Sequence, residues 1–272
     1  MQIRRWLAGL GVLLSCGLIA SAAGEPTPAQ ILRFAPRQLG VDYTTPNKEQ
    51  QKDCTVKLVR GRRGSGWLLS DQAGPVRRFF DSNGDNKIDL WSYYKNGVEV
   101  YREIDSDYNG KADLYRWLNE GGQKRGRDTD EDGNIDTWQV ISPEEVSHEI
   151  LLAISTKDFA RIERLMLSQS ELRDLDLLPK EKEKITKSLS GAKEKFAKTL
   201  KELEKVKKAN WLHLEKPKPR CRPADEENGS RVDLVHYPRG SILYESDGKN
   251  DWIQTGMMIK VGHAWRLVDA PA

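Results

Sequence analysis

The chain has few cysteines, almost no net charge and no long apolar segment beyond its N-terminus. Only 3 Cys occur among 272 residues, and 44 Lys and Arg stand against 41 Asp and Glu, which gives a formal net charge of +3. This near-neutral charge argues against a dedicated DNA-binding protein, which would need a clustered basic face. Because no run of about 18 apolar residues follows the N-terminal segment, the sequence predicts no membrane span in the mature chain.

Sequence motifs of common enzyme classes are also missing. There is no His-Glu-x-x-His, no Gly-x-Ser-x-Gly and no phosphate-binding Gly-Lys-Ser/Thr loop. The four histidines are scattered along the chain, at His148, His213, His236 and His263. His236 lies beside Tyr237 and near Asp233 and is the one candidate acid–base residue, although a lone His in a strand is more often structural. We therefore predict a non-enzymatic protein.

The first 22 residues have the three-part pattern of a secretory signal peptide. Residues 1–5 include two Arg, residues 6–20 are apolar, and residues 20–22 are small enough for a cleavage site. An apolar stretch of about 15 residues is short for a membrane anchor. A lipid on Cys16, whose preceding residues loosely resemble a bacterial lipobox, is a less favoured alternative. The sequence predicts a secreted, periplasmic or cell-envelope protein.

Removal of the signal peptide leaves two cysteines, Cys54 and Cys221. In an oxidising compartment two cysteines form a disulfide if their side chains meet. The sequence alone does not give their separation. One disulfide and two unpaired thiols are therefore both open alternatives.

The composition divides the mature chain into three parts. Residues 23–53 are rich in Pro, Thr and Gln and are predicted to form a flexible linker or arm. Residues 54–141 are rich in Gly, Asp and aromatic side chains and form a predicted repeat domain. Residues 142–272 form a predicted α+β domain, with helices over 143–209 and strands over 210–270. The predicted fold class of the whole chain is α+β.

An acidic segment that recurs three times, at offsets of 24 and 23 residues, is the strongest pattern in the sequence. Positions 1, 3, 5 and 9 are Asp or Asn in every copy, position 6 is Asn or Gly, and position 11 is aromatic. The candidate ligands are, copy by copy, Asp81, Asn83, Asp85 and Asp89; Asp105, Asp107, Asn109 and Asp113; and Asp128, Asp130, Asp132 and Asp136. A fixed period of this length is typical of repeat architectures.

The same register extends beyond the acidic positions. Arg78, Arg102 and Arg125 fall at equivalent places in the three copies. A fourth, degenerate copy begins near Cys54 and has Ser65 at position 9, as expected of a capping repeat that protects an end.

Between the acidic segments the sequence alternates between apolar and polar residues. Residues 90–94 and 98–104 read as two strands joined by the turn Asn96-Gly97. A second hairpin has its turn over residues 119–122. The sequence therefore predicts an antiparallel meander of about seven strands, in which acidic loops connect successive hairpins.

The acidic loops have the composition of a cation site. Side-chain oxygens at positions 1, 3 and 5 of a tight turn, with Gly or Asn at position 6, allow the chain to wrap around an ion. Oxygen-only ligands suit Ca²⁺ rather than Zn²⁺. We predict about three Ca²⁺ sites, of which the third binds tightest because all four of its ligand positions are carboxylates. In the alternative interpretation, the same side chains only cap turns through Asx hydrogen bonds.

These loops resemble the front half of the EF-hand loop and are similar to dockerin and thrombospondin type 3 repeats. The resemblance covers about nine residues per copy and implies Ca²⁺ coordination. Position 12, where an EF-hand has a bidentate Glu, holds Ser92, Arg116 and Gln139, and the chain continues as a strand rather than a helix. Thrombospondin-type cysteines are absent from the loops. The implied sites are weak, with Kd on the order of 10⁻⁴ to 10⁻³ M, and do not form a helix-opening sensor.

The order of loop and hairpin over residues 60–141, followed by the sequence SPEEV at 142–146, resembles a group of uncharacterised exported bacterial proteins. That resemblance implies calcium-loop repeats and no particular activity.

Helical patterns begin after the repeats. Ser142-Pro143 predicts a helix start, with the Ser as N-cap and the Pro in the first helical position. Residues 180–208 contain 11 Lys and 5 Glu around an apolar stripe formed by Ile185, Leu189, Phe196, Leu200, Leu203 and Val206. Because Glu is interleaved with Lys, a solvated amphipathic helix is favoured over a basic surface for membranes or nucleic acid.

The C-terminal half resembles cystatin-like or NTF2-like folds. The resemblance depends on a helix that begins with KDF at residues 157–159 and on the segment KVGHAWRLVD at 260–269. It implies a helix across a curved antiparallel sheet and a cavity for a small ligand, without naming a ligand residue. Asn228-Gly229-Ser230 also matches an N-glycosylation sequon.

Two functional hypotheses follow. In the first, the chain is an exported, non-enzymatic calcium-binding repeat protein with a binding or scaffolding role at the cell envelope. Its expected partners are calcium and a cell-envelope protein or glycan, without nucleic acid. In the second, a small-molecule-binding or hydrolytic NTF2-like domain is displayed by the calcium-stabilised repeats. A closed, polar pocket around His236 and Trp252 would favour the second hypothesis, and an apolar-filled interface between sheet and helices would favour the first.

Overall fold

The computed structural model of the chain describes residues 25–118, 124–203, 209–225, 227 and 229–272. The predicted signal peptide with Cys16, the predicted turn over 119–122, and Asn228 of the sequon lie outside the described residues.

The fold class is α+β, as predicted, and its largest element is an eight-stranded antiparallel sheet. The strands pair in strictly sequential order, from β1 at one edge to β8 at the other. They are β1 (Thr55–Arg60), β2 (Ser65–Asp71), β3 (Gly74–Phe80), β4 (Leu90–Lys95), β5 (Val98–Ile104), β6 (Leu114–Trp117), β7 (Arg125–Arg127) and β8 (Thr137–Val140). The predicted meander of about seven strands thus has one strand more than expected.

Side-chain alternation explains why these segments form one sheet. On one face, here named the inner face, Tyr93, Tyr101 and Trp117 lie opposite one another on β4, β5 and β6 and are buried. Their ring centroids are 5.7 Å apart between the two tyrosines and 4.9 Å between Tyr101 and Trp117. Aromatic pairs in cross-strand positions contribute beyond their buried area. Asn96 and Gly97 both have positive φ, as a two-residue type I′ hairpin turn requires.

The segment before the sheet is packed against the inner face, which differs from the flexible linker or arm predicted for residues 23–53. It contains the short helix α1 (Pro28–Ile31) and a 3-10 turn at Gln50–Asp53. Ile31 is fully buried, and the ring of Phe34 packs edge-on against Phe79 with centroids 5.1 Å apart. The Pro, Thr and Gln content suggested a linker, but a few apolar side chains are enough to fix the segment on an aromatic surface.

The chain next forms five helices, within the range of residues predicted to be helical. They are α2 (Pro143–Thr156), α3 (Phe159–Leu165), α4 (Gln169–Asp174), α5 (Pro179–Ser190) and α6 (Ala192–Glu202). At the start of α2 the Ser142 side chain accepts a hydrogen bond from the Glu145 backbone N–H, and the Glu145 side chain accepts one from the Ser142 backbone N–H. This capping box satisfies two N–H groups that a helix leaves without partners.

The lysine-rich stretch is divided between α5 and α6 at Gly191. Ile185 and Phe196 of the predicted apolar stripe are buried, and Leu189, Leu200 and Leu203 pack against the cores. Val206 lies outside the described residues. The apolar side of both helices therefore faces the protein.

The C-terminal strands form two antiparallel sheets rather than the single predicted sheet. One contains β10 (Arg220–Arg222), β11 (Leu234–Tyr237), β14 (Met258–Val261) and β15 (Ala264–Leu267), and the other contains β9 (Ala209–Glu215), β12 (Ser241–Ser246) and β13 (Lys249–Gln254). Within the range predicted to form strands, residues 255–257 instead connect β13 to β14, where the chain crosses between the sheets. Gly256 lies so close to the Asp269 carbonyl that a Cβ would be 2.0 Å from its oxygen. Only glycine fits this crossing without displacing the backbone.

Buried charge joins the large sheet to the helices. Lys124 Nζ donates to Glu149 Oε1 at 2.6 Å, and Arg161 Nη1 donates to Glu149 Oε2 at 2.9 Å. The ammonium of Lys124 also lies 4.0 Å from the ring centroid of Trp117. This cluster links the sheet with α2 and α3.

Both cysteines of the described chain are free thiols. Cys54 is buried just before β1, and Cys221 is exposed on β10. Of the two alternatives left open by the sequence, the unpaired one is therefore observed. In the part of the chain that the structure describes, no helix combines the length and the apolar character needed to cross a membrane.

Candidate metal centre

The third acidic loop, between β7 and β8, brings three carboxylates together. One oxygen each from Asp128, Asp130 and Asp136 lies within 4.8 Å of the others. Asp128 is fully buried, Asp130 is exposed and Asp136 is intermediate. Across the described ranges, this is the only group of at least three acidic, His or Cys side chains that meets this separation.

Backbone hydrogen bonds hold this loop in shape. The Gly133 N–H donates to Asp128 Oδ2 at 2.9 Å, and the Thr129 N–H donates to Asp136 Oδ2 at 2.6 Å. These two hydrogen bonds direct the side chains of Asp128 and Asp136 toward the interior of the loop. The Asp128 backbone N–H in turn donates to the Asp113 carbonyl at 3.0 Å, which connects the loop to the preceding one.

All three acidic loops have positive φ at positions 4 and 6. Position 6 is Asn86, Gly110 or Gly133, as the sequence predicted, but position 4 was not anticipated. There φ is 87° at Gly84, 64° at Tyr108 and 59° at Glu131. A non-glycine residue with positive φ is uncommon. The variety of side chains at position 4 explains why no sequence signal pointed to it.

In the first two loops the carboxylates at positions 1 and 9 are also bonded to the backbone. The Asn86 N–H donates to Asp81 Oδ2 at 2.8 Å, and the Gly110 N–H donates to Asp105 Oδ2 at 2.7 Å. In the second loop, Arg127 Nη2 lies 3.0 Å from Asp113 Oδ2, so one carboxylate already has a cationic partner. These contacts are the Asx hydrogen bonds of the alternative interpretation.

Of the twelve predicted ligands, three meet in one group, and Asp132 of the same loop does not join them. Asp132 is exposed and accepts a hydrogen bond from the Asn134 N–H at 2.7 Å. The remaining eight lie in the first two loops, where no such group forms among the described residues: Asp81, Asn83, Asp85, Asp89, Asp105, Asp107, Asn109 and Asp113.

Asp128 differs from its neighbours because one of its oxygens has no partner. Oδ1 is buried and accepts no hydrogen bond from any described group. Burial raises the pKa of the Asp128 carboxyl, partly offset by the N–H groups of Gly133 and Glu131, which lower it. The charges of Asp132 and Asp136 raise this pKa further. A buried carboxylate oxygen without a partner is costly, and a cation among three carboxylates would offset that cost.

Burial likewise raises the pKa of Asp89 and of Asp105 in the first two loops. The pKa of the exposed Asp132 is lowered, because the Asn134 N–H stabilises its charged form.

Contacts that the sequence did not predict support the third loop. Gln38 of the N-terminal segment donates through Nε2 to the Gly133 carbonyl at 2.8 Å. Glu131 accepts a hydrogen bond from Asn109 and lies 3.4 Å from Lys111, so the second and third loops are linked. These partners are distant in sequence, and no local motif signals them.

A cleft of about 590 Å³ lies next to the third loop and shares Asp136 with it. Its wall includes Trp138 and Arg266, with side chains from α3, α4 and α5. Arg266 is held by Glu171 Oε1 at 2.7 Å and by the Trp138 carbonyl at 2.7 Å, and its Nη1 is buried without a partner.

The second hypothesis predicts a closed, polar pocket around His236 and Trp252. Trp252 is 57 % exposed and therefore does not line a closed pocket. Burial, followed by the charges of Arg222 and Arg220, lowers the pKa of His236. Neither residue borders the cleft beside the third loop. Comparisons of the chain with protein-family profiles, with curated proteins and with solved structures found no match.

Proposed function

We propose that this chain is an exported, non-enzymatic calcium-binding repeat protein with a binding or scaffolding role at the cell envelope. The observation that carries the proposal is the third acidic loop, where Asp128, Asp130 and Asp136 converge and Asp128 Oδ1 is buried without a partner. An all-oxygen, carboxylate-rich site in a turn suits Ca²⁺. The N-terminal targeting pattern supports export.

The first two loops share the φ signature of the third loop, and we extend the proposal to them as weaker sites. Each has three carboxylates and one amide at its ligand positions, and its carboxylates are more fully bonded to the backbone. An ion at these loops would compete with contacts that already exist. The order of affinity should therefore place the third site first.

The interface between the large sheet and the helices supports the non-enzymatic alternative. Apolar side chains of the inner face and of α2, among them Trp138, Ile141 and Ile150, belong to one buried cluster. Within the described chain, packed apolar side chains and the ion cluster of Lys124, Glu149 and Arg161 fill this interface, as the first hypothesis expects. A protein packed in this way would bind a partner through its outer surfaces.

A small-molecule-binding role remains a second candidate because of the cleft beside the third loop. Its volume of about 590 Å³ lies within the range of ligand pockets. Arg266 provides a buried donor without a partner. This candidate places the ligand next to Asp136 rather than near His236.

Calorimetric titration of the mature chain with Ca²⁺, together with melting in Ca²⁺ and in chelator, tests the calcium proposal. With Kd near 10⁻³ M, Ca²⁺ at ten times Kd stabilises the folded state by roughly 1.4 kcal/mol per site. A stoichiometry near three supports ions at all loops, and a stoichiometry near one restricts calcium to the third.

The substitution Asp128→Asn distinguishes a metal site from an Asx turn. Asn keeps the shape of the side chain and the oxygen that accepts from the Gly133 N–H, but it removes the charge. If the third loop holds a metal, Asp128→Asn should lose the rise in melting temperature that Ca²⁺ produces through this loop. If the loop is only an Asx turn, Asp128→Asn should melt at the same temperature as the wild type. Asp251→Asn, at an exposed position on β13, is the matched control. The proposal would be refuted if the melting temperature of the wild type were the same in Ca²⁺ and in chelator.

A further inference from the structure

The face of the large sheet opposite the inner face carries arginines in cross-strand register. Arg78 on β3 lies opposite Ser92 on β4, which lies opposite Arg102 on β5. Arg102 lies opposite Arg116 on β6, and Arg116 lies opposite Arg125 on β7. We name Arg78, Arg102, Arg116 and Arg125 the arginine row. With strands about 4.8 Å apart, the row crosses about 19 Å of the sheet.

Within the described residues, only one arginine of this row has a carboxylate partner. Arg102 forms a bidentate pair with Glu99, at 2.7 Å from Nε and 2.6 Å from Nη2. Among the described residues, the other three arginines form no ion pair with a carboxylate. Arg116 lies directly between Arg102 and Arg125, and like charges in such positions destabilise a sheet. The row therefore has the charge of a surface that receives an anionic partner.

An apolar row runs beside the arginine row on the same face. Phe80, Leu90, Ile104 and Leu114 lie opposite one another on β3, β4, β5 and β6. Each is two residues along its strand from the arginine row, so both rows share one side of the sheet. A partner that covers the face would contact a strip of apolar side chains and a parallel strip of positive charge.

The shape of this face argues against nucleic acid. The four arginines lie on the face of an eight-stranded sheet, which is wider than the α-helix or two-stranded ribbon that the major groove of DNA admits. Stacking of single-stranded bases requires open aromatic rings. Phe80 is only 8 % exposed, and the guanidinium of Arg78 lies 4.2 Å from its ring centroid.

We propose that this face binds a linear, carboxylated polysaccharide, with its sugar rings on the half-buried Leu90, Ile104 and Leu114 of the apolar row and its carboxylates on the arginine row. The planar guanidinium matches a carboxylate in bidentate geometry. An extended polymer with repeated charges follows a straight row more closely than a compact ligand does. The apolar row borders the acidic loops, since Leu90 follows Asp89 and Leu114 follows Asp113. The arginine row lies two residues further along the strands, and the test below omits divalent cations so that its outcome does not depend on calcium binding.

The test measures binding of polygalacturonate oligomers to the mature chain by calorimetry at low ionic strength, without added divalent cations. Fully methyl-esterified oligomers have the same backbone without the charge and serve as the ligand control. The double variant Arg116→Gln/Arg125→Gln removes two charges from the row. The matched control Lys182→Gln/Lys184→Gln removes two exposed charges from α5 instead.

We expect the charged oligomer to bind, the esterified oligomer to bind at least about tenfold more weakly, and the arginine variant to lose about tenfold or more in affinity. The lysine variant should bind like the wild type. Because the arginine substitutions relieve like-charge contacts, their melting temperature should equal or exceed that of the wild type, and this measurement shows that the variant is folded.

Several outcomes would overturn the proposal. Equal losses in the two double variants would indicate non-specific attraction to positive charge. Equal binding of the esterified oligomer would exclude recognition of carboxylates. Tighter binding of single-stranded or duplex DNA than of polygalacturonate would assign the face to nucleic acid, and the absence of binding to the charged oligomer would reject the inference.

Discussion

Replacing Glu103 by Gln is expected to remove a pH dependence from the free energy of unfolding. Glu103 projects from β5 onto the inner face and is buried. Its carboxylate accepts a hydrogen bond from the Arg37 backbone N–H at 2.6 Å and one from the Tyr101 hydroxyl at 3.2 Å. Burial nevertheless dominates and raises the pKa of Glu103 from 4.5 to about 7.

The sign of the effect follows from that raised value. Between pH 4.5 and about 7 the folded chain keeps the Glu103 proton while the unfolded chain loses it. The free energy of unfolding therefore falls as the pH rises through this window. A pKa difference of this size corresponds to roughly 3 kcal/mol, or about 5 °C in melting temperature for a chain of this length.

The assay compares unfolding of the wild type and of Glu103→Gln at pH 5 and pH 8. Gln cannot ionise, so the variant should lose most of the difference between the two pH values and should be the more stable protein at pH 8. Glu49→Gln, at an exposed position in the N-terminal segment, is the control and should follow the wild type. If Glu103→Gln retains the wild-type slope, the buried carboxyl is not the source of the pH dependence.

Two further predictions concern buried charge and thiols. Glu149→Gln leaves the buried Lys124 without its carboxylate and removes one of the two carboxylates paired with Arg161. It should cost about 3 to 5 kcal/mol in denaturant unfolding, and a loss below about 1 kcal/mol would contradict the assigned ion cluster. Aromatic disulfide reagents should titrate Cys221 rapidly and Cys54 slowly, because Cys54 is buried and burial raises its pKa. Two equally fast thiols, or none, would contradict this assignment.

Local signals allowed much of the secondary structure to be predicted. The Ser142 cap and the Asn96-Gly97 turn each depend on neighbouring residues, and both appear at the predicted places. The position of residues 25–53 was not predictable in this way, because it depends on an aromatic surface that exists only after distant strands have paired. Gly256 is a similar case, since its close neighbour Asp269 lies on a different part of the chain.

The candidate site shows the same limit within a single loop. The spacing of acidic residues located all three loops, but it did not determine the direction of each side chain. Asp128 is directed inward and buried, whereas Asp132, four positions later, is exposed. Side-chain direction depends on φ at positions 4 and 6, and Glu131 at position 4 gives no sign of its left-handed conformation in the sequence.

The sequential order of β1 to β8 has a consequence for how the protein can vary in length. Every strand pairs only with its neighbours along the chain, so inserting or deleting one unit of 23 or 24 residues changes the number of hairpins but leaves the other pairings intact. Each acidic loop is preceded, three residues earlier, by one arginine of the row, and Arg116 is an additional arginine in the second unit. A longer or shorter sheet of this kind would therefore gain or lose acidic loops and arginines of the row together.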